Sequence, residues 1–66
     1  MQVRINGEVT ELESEISVEG LLSQMGISSR MVAVAVNFHC VRRNEFQSRT
    51  VKAGDEVEIL APQAGG

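Results

Sequence analysis

Few groups in this sequence have the chemistry to react, and they fall in three places. The first is the end, Ala61-Pro62-Gln63-Ala64-Gly65-Gly66, which is expected to close on a free glycine carboxylate. Two final glycines make the slimmest end a polypeptide can have, able to thread a channel where any Cβ would clash. Pro62 has no N–H for a sheet and fixes its own φ, so it should stop the strand-like run before it. Residues 62–66 are therefore expected to form a flexible tail that offers its Gly66 carboxylate. Residues 1–61 would be the folded domain that carries it. The second place is His39-Cys40. Neighbours in a strand point to opposite faces, so the two do not make a nucleophile–base pair. One histidine and one cysteine also fall short of a tetrahedral metal site. They read as a turn residue and a small half-buried hydrophobe, with a redox-sensitive thiol as the alternative. The third is the charged surface: Glu8, Glu11, Glu13, Glu15 and Glu19 read as a solvated face that a partner could also use, and Arg42 and Arg43 as solvating residues. The sequence has no glycine loop with a phosphate-binding lysine and no dinucleotide fingerprint. No catalytic residue, bound metal or bound cofactor is expected.

The totals narrow the class further. Sixty-six residues make one domain, which buries only about 60% of its unfolded surface and has a thin stability margin. The formal charge of −3 and the two phenylalanines as sole aromatics argue against nucleic acid, which wants cations and stacking platforms. A partner with a basic docking surface is allowed. No apolar run approaches the roughly 18 residues of a membrane span, and Met1 leads directly into strand-like sequence, without a signal-peptide core. With one cysteine, no internal disulfide can form, which agrees with a cytoplasmic location.

The elements that would position the tail follow from periodicity. Met1 to Ile5 alternates apolar and polar, and Asn6-Gly7 is a hairpin signal because both residues tolerate positive φ. A two-residue turn pairs Ile5 with Glu8 and Val3 with Thr10, placing Leu12 inside and Val9 outside; a bulged turn would reverse this. Ser17 is a good N-cap, and Val18, Leu21, Leu22 and Met25 fall on one helical face, with Gly26 as the stop. Ile16 can pack back onto Leu21, and Gly20 can permit close packing on the sheet. Met31 to Asn37 is the clearest strand: Val32, Val34 and Val36 should meet the helix, and Met31, Ala33 and Ala35 should form an open face. A turn leads to a short strand over Cys40–Arg42, then a helical turn whose Phe46 plugs the core. Gln47 to Lys52 reads as irregular. Glu56 to Leu60 is the last strand, with Val57 and Ile59 inward and Glu56, Glu58 and Leu60 outward. The whole is an α+β domain, with one main helix on one face of a mixed four- to five-stranded sheet, and the first and last strands can lie side by side at its centre.

Taken together, Ile5-Asn6-Gly7-Glu8, Val18-x-x-Leu21-Leu22 through Gly26, Val32 to Asn37, Gly54-Asp55-x-Val57-Glu58-Ile59 and Pro62-x-x-Gly65-Gly66 resemble the ThiS family. These are the sulfur carriers of thiamin biosynthesis, with a ubiquitin-like β-grasp fold. The resemblance runs the full length. It departs at Phe38-His39, where the family commonly has Gly-Glu, and at Arg42-Arg43, where it often has Pro-Arg. It implies that an adenylating enzyme of the ubiquitin-activating type (ThiF/MoeB-like) uses ATP and Mg²⁺ to activate the Gly66 carboxylate. It also implies that Gln63, Ala64 and Gly65 thread a partner's active site and that Gly66 is the residue changed. A cysteine desulfurase or relay protein would supply sulfur, and the resulting thiocarboxylate would serve a thiazole synthase (ThiG-like). The small subunit of molybdopterin synthase shares the chemistry, and a ubiquitin-like protein modifier or a plain interaction module are the other readings. Docking is expected on the open sheet face, through Leu60 with Met31, Ala33 and Ala35, rimmed by Glu56 and Glu58.

Overall fold

The computed structural model describes residues 1–61. Strand β1 (Gln2–Ile5) turns through Asn6-Gly7 into β2 (Glu8–Glu11). The register is that of the two-residue turn, Ile5 opposite Glu8 and Val3 opposite Thr10. Leu12 is accordingly buried and Val9 exposed. The Met1 amino group donates to Glu11 Oε2 at 2.8 Å; this hydrogen bond, with the attraction of the same charge, holds the exposed Glu11 carboxyl below its ordinary range.

Strand β3 (Ile16–Ser17) runs into helix α1 (Val18–Gln24). Ser17 caps the helix, its Oγ accepting from the Gly20 N–H at 2.9 Å, and Gly26, at φ +71°, ends it. Val18, Leu21 and Leu22 are buried as the 3.6-residue period requires. Met25 is not: the helix stops at Gln24, and Met25 stays 44% exposed beside Leu12 and Leu21, where no further layer covers it. Gly20 has a role other than the expected approach to the main sheet. A Cβ there would stand 2.7 Å from Ile16 Cγ1, so the glycine lets Ile16 lie across the first helical turn.

Strand β4 (Ala33–Val36) and β5 (His39–Val41) form the second hairpin, β6 is Thr50–Val51, and β7 is Glu56–Leu60. The main sheet runs β2-β1-β7-β4-β5, with β1 and β7 parallel at its heart and the other pairings antiparallel. Val34 and Val36 from β4, Val57 and Ile59 from β7, and Val3 and Ile5 from β1 form the buried face under α1, and Phe46, after a 3-10 turn at Arg43–Glu45, closes one end. Three expectations need correcting. Residues 47–52 are not wholly irregular, because β6 pairs with β3 and buries Val51 completely. Met31 precedes the strand rather than opening it: Ser28 caps a 3-10 turn over Ser29–Met31, its Oγ accepting from the Arg30 N–H. The short strand begins at His39 rather than Cys40, because the turn before it takes only Asn37 and Phe38.

The two hairpin turns share one device. Asn6 and Asn37 both have φ +51° and are followed by a second positive φ, at Gly7 and Phe38, the type I′ turn that suits strand twist. Each asparagine then clamps β7. Asn6 Nδ2 donates to the Ile59 carbonyl at 3.1 Å, and the Ile59 N–H donates to Asn6 Oδ1 at 2.8 Å. On the other flank the Glu56 N–H donates to Asn37 Oδ1 at 2.9 Å, and Asn37 Nδ2 donates to Asp55 Oδ1 at 3.0 Å. The Asn6 amide thus stands in for the residue β1 lacks, and extends the pairing of the central strand to the point where the chain leaves the sheet.

Candidate functional site

The expected site has two parts, a face and a tail. The tail residues Gln63, Ala64, Gly65 and Gly66 lie outside the described residues. The face is described in full. Along β7, Val57 and Ile59 turn to the core while Glu58 and Leu60 are exposed and Glu56 is half-buried. β4 is antiparallel to it, with Ala33 opposite Leu60 and Ala35 opposite Glu58. Because β4 alternates with the same phase, Val34 and Val36 go inward, and Ala33 and Ala35 share the open face with Leu60. Leu60 is 70% exposed and Met31 53%. These two, with Ala33, line a shallow groove of about 390 Å³ that also takes in Val32 and Ala61. The structure therefore brings Leu60, Met31 and Ala33 together where β7 ends. Ala35 and Glu58 lie two residue pairs further back and Glu56 further still, opposite Arg4 of β1.

Two residues missing from the expected site border the same groove. Arg30 and Arg43 line it, and Arg43 Nη2 donates to the Arg30 carbonyl oxygen at 2.9 Å. The end of the face where the chain departs is thus cationic, and Glu58 and Glu56 rim only the opposite end. Sequence spacing gave no signal for this, since Arg30 and Arg43 are brought together by the turn before β4 and the turn after β5. Cys40 is another departure: it is exposed rather than half-buried, because it sits opposite Ala35 on the edge strand, on the face without a second layer. Among the described residues no three His, Cys, Asp or Glu side chains gather as a metal site, and no helix is long and apolar enough to cross a membrane.

A mixed sheet with parallel β1 and β7 at its centre, crossed on one face by a single helix, defines a ubiquitin-like β-grasp domain. Residues 3–66 match the ThiS family. The sulfur carrier protein ThiS of Thermus thermophilus is 34% identical over 64 residues, spanning 97% of this chain and 98% of that one. The crystal structure of the thiamine biosynthesis protein (ThiS) from Geobacter metallireducens superposes with a TM-score of 0.87 at 32% identity, each chain covered in full. The chain belongs to the ThiS family. It is also 38% identical, over all 66 residues, to a thiazole synthase of Paramagnetospirillum magneticum, of which it spans only 20% of the length; the same fraction applies to a thiazole synthase of Magnetococcus marinus.

Proposed function

We propose that this chain is a sulfur carrier that works as a substrate of other enzymes, its reactive group being the Gly66 carboxylate. The observation that carries the reading is the exposed apolar groove around Leu60, at the end of the central strand, in a member of the ThiS family. A carboxylate is a poor electrophile, because its charge is delocalised and oxide is a bad leaving group. Attack of a Gly66 oxygen on the α-phosphorus of ATP, in an adenylating partner that binds the nucleotide and Mg²⁺, expels pyrophosphate and gives an acyl-adenylate. A persulfide sulfur from a desulfurase or relay protein then attacks the carbonyl carbon, and AMP leaves. A thiol releases the thiocarboxylate by taking the other sulfur into a disulfide. The product is a soft nucleophile fixed to a protein, so sulfide is never free. Gln63, Ala64 and Gly65 would thread the partner's channel, and Leu60, Met31, Ala33 and Ala35 would seat on its surface with Glu56 and Glu58 behind them. Burying Leu60 alone would contribute roughly 1.5–3 kcal/mol.

The thiazole synthase relatives support one acceptor class. A fifth of each of those chains resembles this one, so there a carrier-like segment and the synthase share one polypeptide. Tethering of that kind replaces free encounter with an effective concentration in about the millimolar range. These relatives, with the thiamine biosynthesis neighbour, favour a thiazole synthase over a molybdopterin-forming enzyme as acceptor. The test is intact mass after incubation with an adenylating partner, ATP and a persulfide donor. Exchange of one oxygen for one sulfur supports the carrier. Covalent conjugates with other proteins would mean a modifier, and an unchanged mass with an active partner would mean an interaction module.

A further inference from the structure

The cationic end of the groove has a chemistry of its own. Arg43 does not trail into solvent: its hydrogen bond to the Arg30 carbonyl holds the guanidinium at the groove rim and occupies one of its five N–H donors. Among the described residues the single ion pair joins the Met1 amino group and Glu11, and no carboxylate pairs with Arg30 or Arg43. Two cations therefore stand at the edge of an exposed apolar patch, on a protein whose net charge is −3, and no carboxylate among residues 1–61 neutralises them. We infer that Arg43, supported by Arg30, receives a carboxylate side chain of the activating enzyme, placed beside the apolar pocket that takes Leu60. This rests on the sulfur-carrier reading and adds a chemical specification of the partner.

The geometry favours a protein carboxylate over the other anions at hand. Gly66 is the fifth residue beyond Ala61; extended into a channel those five residues would reach at most about 16–18 Å. The phosphates that react with Gly66 then lie far from the base of the tail, where Arg30 and Arg43 stand. A nucleic acid or anionic membrane would also press its charge against Glu56 and Glu58 on the same face, at a cost that grows with the charge density of the polyanion. A single acidic side chain at the channel mouth meets the guanidinium alone, and a held fork suits the two oxygens of a carboxylate. The two ends of the face, cationic at Leu60 and net anionic at Glu56 and Glu58 even with Arg4 opposite Glu56, also fix which way round the partner sits, since the reverse orientation would oppose like charges.

The experiment is carrier-dependent ATP–pyrophosphate exchange by the adenylating enzyme at low and high salt. It compares the wild-type chain with Arg43→Glu, Arg43→Lys, the double variant Arg30→Glu/Arg43→Glu, and Lys52→Glu, whose change of charge equals that of Arg43→Glu but lies away from the groove. The double variant should raise KM for the carrier by roughly tenfold and lose most of the salt dependence of kcat/KM, with kcat at saturation kept. Arg43→Lys, which retains charge without the fork, should recover only part of the loss, and Lys52→Glu should match the wild type. If the wild type is active and the folded double variant has the same KM and salt dependence, the inference fails alone. It also fails if Lys52→Glu raises KM as much as Arg43→Glu does, since net charge would then explain the effect. A wild-type chain inert with an active partner overturns the carrier reading, and this inference with it.

Discussion

Leu60 shows most directly how one residue links fold to function here. It pairs with Ala33 across the sheet, yet its side chain is 70% exposed, so the strand uses its backbone and leaves its side chain free for the docking role proposed above. Leu60→Asp should leave the melting temperature within a few degrees, because exposed substitutions usually change stability by less than about 0.5 kcal/mol. The same change should raise KM for adenylation by about tenfold or more, the loss expected when a side chain worth roughly 1.5–3 kcal/mol on burial becomes a charge. Steady-state kinetics beside a thermal melt check both, and unchanged kinetics would remove Leu60 from the docking face. Phe38 is the other informative residue. Its φ of +68° is a conformation a bulky side chain adopts at a cost of roughly 1–2 kcal/mol, and its ring is 78% exposed. The Asn37 clamp on Asp55 and Glu56 keeps that turn in place despite the strain.

Among the elements, the central strand β7 is set by its neighbours. Asn6 supplies two hydrogen bonds to Ile59 from outside β1, so Asn6→Ala should destabilise the domain by about 2–3 kcal/mol, from two part-buried hydrogen bonds and a Cβ without side-chain compensation at positive φ. Urea unfolding gives the total, and faster hydrogen exchange at the Ile59 amide locates it; protection there equal to wild type would show that the clamp does not hold the end of β7. Most elements were legible from the sequence because their period was long enough to register. The alternation of Val57 and Ile59 with Glu56, Glu58 and Leu60, and of Val34 and Val36 with Ala33 and Ala35, placed the open face correctly. The pairing of β3 with β6 was not legible, because two residues carry no period, although the β-branched Thr50-Val51 is the kind of pair that fills such a strand. Nor was the groove's cationic rim, since it joins Arg30 to Arg43 through tertiary structure.

At the scale of the whole molecule, the two faces of the sheet divide the work. One buries a small core under α1 and keeps the domain folded. The other carries an apolar groove with arginines where the chain leaves the sheet and glutamates behind, and it holds an exposed thiol, Cys40, beside Ala35. That thiol makes the decisive measurement a matter of where the sulfur goes. After loading with an adenylating partner, ATP and a persulfide donor, the chain should be treated with a thiol reductant and fragmented in a mass spectrometer, alongside Cys40→Ser. The account predicts one oxygen exchanged for sulfur on Gly66, resistant to reductant and undiminished in Cys40→Ser. Sulfur added to Cys40 as a persulfide, removed by reductant and absent from Cys40→Ser, would contradict it.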